Sequence, residues 1–145
     1  MMELGHWEID SNLLVESINP IDFFGFVYKI TRLDTGRIYI GRKQLIFTRR
    51  IKVSGRKNRK HVKKESDWKT YTGSCKELNQ EISTLGKDKF EFKILKFCKT
   101  KRELGYLETK IQFENDVLTS RFDNGLRKYY NSNIMNRWFA DEKKE

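Results

Sequence analysis

The chain has 145 residues, a formal net charge of +10, a mean hydropathy of −0.75 and 13% aromatic residues. That length fits one domain with a real core, and the aromatic content argues against a disordered chain. The sequence pI of about 9.6 favours a polyanionic partner, nucleic acid before membrane. No apolar run is long enough to span a bilayer and no signal peptide is read, so the expected location is the cytoplasm. Cys75 and Cys98 show no metal-ligand spacing and read as two free thiols.

Residues 1–24 form an acidic lead-in with Trp7, Leu13, Leu14, Val15 and Phe23. Asp10 or Ser11 is placed to cap a short helix, with Pro20 ending or following it. The segment is expected to cover one face of a sheet, and His6 reads as a surface residue.

Residues 25–41 are the most patterned stretch. Gly25 to Thr31 and Arg37 to Ile40 are rich in aromatic and β-branched residues, which predicts two strands. Asp34-Thr35-Gly36 between them is turn chemistry. Strand alternation puts Phe26, Tyr28 and Ile30 on one face, and Ile38 and Ile40 opposite Tyr39. From pattern alone, Tyr28 and Tyr39 read as structural tyrosines of a core hairpin.

Of the 23 residues from 42 to 64, eleven are Lys or Arg and none is acidic. Ser54-Gly55 and Asn58 break any periodicity, so the run reads as a solvated loop, unstructured until phosphates neutralise it. Arg42, Lys43, Arg56, Lys57, Arg59, Lys60, Lys63 and Lys64 are its candidate nucleic-acid contacts. Trp68 and Tyr71 follow, either as anchors for this loop or as site residues. Ser74 and Glu77 make a capping box for a helix bearing Leu78, Ile82 and Leu85 on one face, closed by Gly86.

Residues 90–98 predict a third strand. Phe90, Phe92 and Ile94 alternate, then Leu95 and Phe97 switch face, which points to a bulge or the end of pairing. Thr100 and Glu103 make a second capping box, opening a helix with Leu104, Leu107, Ile111 and Leu118 on its buried stripe. Glu108 falls on that stripe. A carboxylate there reaches water, bonds a tyrosine, or holds a metal. Beyond it come an Asp123-Asn124-Gly125 turn, Tyr129-Tyr130-Asn131, an apolar cluster of Met135, Trp138 and Phe139 expected to tuck onto the core, and a charged tail. The expected class is α+β: a small, three-stranded, mostly antiparallel sheet flanked by helices.

Tyr28-Lys29-Ile30 followed by Gly36-Arg37-Ile38-Tyr39-Ile40-Gly41 resembles the hairpin of the GIY-YIG nuclease family. The first motif departs by one extra residue in Gly25-Phe26-Val27-Tyr28, whereas the second is complete. Asp67-Trp68 to Leu78 is similar to the segment that follows the second strand and opens the family's helix. The basic run is then an insertion at about 42–67 in a single domain spanning 1–145, with a C-terminal extension from about 119. Within the family the chain looks most like small, free-standing phage proteins related to homing endonucleases, which would place it in the host cytoplasm.

The resemblance implies a metal-dependent endonuclease acting on double-stranded DNA. It implies catalytic roles for Tyr28, Tyr39 and Glu108, with one Mg²⁺ or Mn²⁺ on Glu108. It asks for an arginine on a helix about twenty residues past the first tyrosine. Arg49 and Arg50 fit by count, with Arg42 and Lys43 as further candidates. Asn131, with Asn133 as fallback, matches a late asparagine that bonds the active-site water or the glutamate region. Lys43, His61 and Tyr71 are possible supports, Lys43 as the cation that would let Tyr28 act on the attacking water. The competing reading is a non-catalytic nucleic-acid-binding module on the same fold, and a remoter one is a ribosome-associated basic protein.

Overall fold

The structure, a computed structural model, describes residues 3–9 and 19–140. Its centre is a four-stranded sheet in which β2 (Gly25–Arg32) lies between β3 (Ile38–Gln44) and β6 (Phe90–Cys98), antiparallel to both. A two-residue β1 (Glu8–Ile9) adds a parallel edge to β6. The lead-in therefore supplies a fourth strand beyond the three expected. The helix predicted after Asp10 or Ser11, with Leu13, Leu14 and Val15, lies outside the described residues.

Both sheet faces are covered, so Gly25 to Tyr28 are buried in an unbroken run rather than at every second residue. Phe26, Tyr28 and Ile30 pack on one face with Trp7, Trp68 and Phe92. Val27 and Ile40 pack on the other with Cys98, Leu104 and Val117. The β2–β3 turn carries Gly36 at φ +78°, and Gly36 N donates to Arg32 O at 2.8 Å. The bulge in β6 is present: Val27 faces Lys96 while Tyr28 faces Ile94, leaving Leu95 unmatched. His6, expected at the surface, instead stacks on Phe92 with ring centroids 4.1 Å apart.

The basic run is not a loop. After β3 and the buried Leu45, β4 (Ile46–Ile51) and β5 (Lys60–Glu65) form a separate two-stranded antiparallel ribbon. Ile46, Phe47, Thr48, Ile51 and Val62 give these strands their extended preference. The abundance of Lys and Arg on both faces hides the alternation. The ribbon is pinned at its root, where Leu45 N donates to Phe24 O and Ser66 N to Leu45 O, each at 2.8 Å. Trp68 is the anchor: its ring is buried and its Nε1 donates to Glu65 at 2.8 Å.

Helix α1 (Lys76–Leu85) covers the first face with Leu78 and Ile82. It starts later than the predicted capping box, on Cys75, with no side-chain cap bond from Ser74; Leu85 is exposed. Gly86 closes it at φ +94°. Helix α2 (Lys101–Glu114) lies on the second face, and Thr100 accepts from Glu103 N at 3.1 Å. Leu118 packs from beyond the helix end rather than from its stripe. Residues 133–140 form a small hairpin, β7 (Asn133–Ile134) with β8 (Trp138–Phe139). Ile134 is its buried residue, whereas Met135, Trp138 and Phe139 are exposed, contrary to expectation. Residues 141–145 lie outside the described residues. Among the described residues no helix is long and apolar enough to cross a membrane.

Candidate active site

The site is built on the open edge of β3. An exposed edge must satisfy its peptide groups, and the C-terminal segment does this. Ile38 N donates to Lys128 O at 3.0 Å and Tyr130 N to Ile38 O at 2.8 Å. Where the backbone then turns away, the Asn131 side chain continues the ladder. Its Oδ1 accepts from Ile40 N at 3.1 Å and its Nδ2 donates to Ile40 O at 2.8 Å. Gln112 of α2 donates to the same carbonyl at 3.0 Å. These bonds fix Ile40, and with it the flanking Tyr39 and Gly41. The Asn131 side chain, expected to serve the active-site water or the glutamate region, thus holds the Ile40 backbone.

Tyr28 stands opposite Gly41 in the β2–β3 register, and its phenol crosses the glycine. A Cβ at Gly41 would lie 2.6 Å from Tyr28 Oη. Gly73, at φ +86°, closes the other side, where a Cβ would come within 3.1 Å of that oxygen. The Tyr28 and Tyr39 rings sit 6.2 Å apart between centroids. Tyr71 meets Tyr28 edge-on, also at 6.2 Å.

Glu108 projects from α2 into this space. Its carboxylate is partly shielded, and Arg42 Nε lies 3.6 Å from Oε1. Burial raises its pKa, against an opposing pull from Arg42. Tyr28 is raised well above the ordinary phenol value, chiefly by burial and then by Tyr39, Tyr71 and Glu108. Burial raises Tyr39 too, with a hydrogen bond from Ser74 working the other way. Both phenols are therefore neutral at physiological pH. The expectation of a Tyr28 made basic by Lys43 does not hold. Lys43 is held by Asp67 at 2.6 Å and lies 4.0 Å over the Tyr71 ring.

Tyr28, Tyr39, Arg42, Tyr71, Glu108 and Asn131 line one cleft of about 590 Å³. Arg49, Arg50 and His61 do not line it. Arg49 and Arg50 lie on β4 rather than on a helix, and His61 lies on β5. The residue count on which Arg49 and Arg50 were chosen runs into the β4–β5 ribbon. The candidate contacts Arg56, Lys57, Arg59, Lys60, Lys63 and Lys64 are all exposed on the ribbon and its turn, while Arg42 and Lys43 belong to β3. Sequence reasoning missed Gln112; its spacing four residues after Glu108 on the same helix face was the available signal.

Among the described residues no group of three or more His, Cys, Asp or Glu could enclose a metal. A single carboxylate among neutral hydroxyls suits a hard divalent cation that keeps most of its waters.

A family model described as "Putative endonuclease segE, GIY-YIG domain" matches residues 7–134. No curated protein matches the chain, and no solved structure does.

Proposed function

The chain belongs to the GIY-YIG endonuclease family, and we propose that its cleft hydrolyses phosphodiester bonds of double-stranded DNA with one Mg²⁺ or Mn²⁺ held by Glu108. The observation that carries this reading is the meeting of Arg42 and Glu108, 3.6 Å apart, in the cleft that also holds Tyr28 and Tyr39. Such a cation supplies Lewis-acid stabilisation of the leaving oxygen. Arg42 is the cleft's guanidinium, half-exposed, with Nε toward Glu108 and its terminal nitrogens suited to fork onto phosphate oxygens as charge builds in the transition state. Tyr28 and Tyr39, kept neutral, orient the attacking water and donate to the phosphate. Tyr71, with Lys43 4.0 Å over its ring, forms the wall beside them.

Incubating the protein with supercoiled plasmid and Mg²⁺ or Mn²⁺ tests the proposal. The expected result is nicking or linearisation, falling by roughly a thousandfold or more in Glu108→Ala with binding retained. Cutting that survives the substitution refutes the site. Binding with no cutting by the wild type favours the non-catalytic module.

A further inference from the structure

We infer that the β4–β5 ribbon is a reading element that lies in the major groove of duplex DNA and contacts base edges through one of its two faces. The inference rests on the nucleic-acid reading of the cleft but concerns a different surface. Residues 46–65 carry nine Lys or Arg and one acid, Glu65, which is tied to Trp68 at the root. None of those nine makes an ion pair with another described residue. The charge calls for an anionic partner along the whole arm.

Shape narrows the partner. Strands of six residues reach about 20 Å, and two strands lie about 4.8 Å apart. A ribbon of that width fits the major groove of B-form DNA, about 12 Å across. The deep, narrow major groove of A-form RNA does not admit it.

Register then assigns the faces, because directly paired residues point to the same side. Beyond the root, one face carries Thr48 with Lys63 and Arg50 with His61. All four are exposed and all can hydrogen-bond. The opposite face has an apolar residue in every pair: Phe47 with Lys64, Val62 with Arg49, and Ile51 with Lys60. The polar face also continues into a cavity of about 600 Å³, where Arg50 and His61 meet Asn58 and Arg59 from the turn. Arg and Lys suit guanine edges, and Asn suits adenine. The other face, with Lys60 and Lys64 at its margins, is suited to flanking phosphates, which position without specifying.

The test separates the faces at equal charge. Full-length Glu108→Ala protein, which binds without cutting, is used to select from a duplex DNA library with a randomised core about one helical turn long. The same selection is run with Arg50→Ala/Lys63→Ala and with Lys60→Ala/Lys64→Ala added. The first pair is expected to lose preference by tenfold or more at individual base pairs. The second is expected to weaken all sequences alike and keep the preference. Equal effects of the two pairs, no enriched sequence in the parent, or competition by duplex RNA as strong as by duplex DNA would each overturn the inference. Failure of the wild type to cleave would refute the nuclease reading and leave this readout intact.

Discussion

The body and the ribbon use positive charge in opposite ways. In the body, six of the described basic side chains make ion pairs, among them Arg32 with Asp34 and Glu81, Arg37 with Glu77, Arg42 with Glu108 and Lys43 with Asp67. In the ribbon the nine basic side chains have no ion-pair partner among the described residues. Residues 46–65 hold nine of the 30 basic and one of the 20 acidic residues, so they supply eight of the ten net positive charges. The paired body charges hold side chains in place, and one of them, Arg42 with Glu108, lies in the cleft. Ribbon charge repels itself and is satisfied only by a polyanion. The two can therefore be perturbed separately.

The sharpest break is removal of the arm. Replacing residues 47–64 with a short Gly-Ser turn leaves the pins at Leu45, Ser66 and Trp68 in place. Anisotropy titrations should then show duplex DNA affinity lower by about a hundredfold or more at moderate salt. The dependence of log K on log salt should flatten by about 0.9 for each phosphate that the shortened protein no longer neutralises. An unchanged slope would mean that the ribbon does not meet DNA.

A smaller change breaks the cleft and spares the arm. Gly41→Ala drives a Cβ to 2.6 Å from Tyr28 Oη, deep between two strands. The expected cost is about 1–3 kcal/mol, read as a lower Tm, with cleavage lost and DNA affinity retained. At the ribbon turn, Gly55 has φ +79° and nothing within 4 Å of an added Cβ. Gly55→Ala should strain only that turn and leave cleavage of saturating substrate intact.

The smallest expected effect concerns pH. Glu108 has a folded pKa raised above its unfolded value, mainly by burial. The folded state therefore binds the proton more tightly, and stability is lost as pH rises through the folded pKa. Glu108→Gln removes this titration. Its Tm relative to wild type should be higher at neutral pH, and the gap should close once pH falls below the ordinary carboxylate range. A gap independent of pH would show that the carboxylate is not strained by its surroundings.

What was legible in the chain follows from the same contrast. The hairpin could be read because Phe26, Tyr28 and Ile30 alternate against a buried sheet. Glu108 could be noticed because a carboxylate interrupts an apolar helix stripe. The ribbon was hidden because charge on both faces erases alternation, so a loop was read there and Arg49 and Arg50 were chosen from it by residue count. Asn131 matched a pattern, but its partner is Ile40, 91 residues away, and nothing local encodes that pairing. The parallel edge strand at Glu8–Ile9 is too short to carry a signature.

The most direct test of the account compares two arginine variants for cleavage at saturating protein, where differences in affinity no longer matter. Arg42→Ala should cut plasmid slower by roughly a hundredfold or more, while Arg49→Ala/Arg50→Ala should cut at near the wild-type rate. Full activity in Arg42→Ala, with loss in the ribbon variant, would contradict the division of labour between cleft and arm.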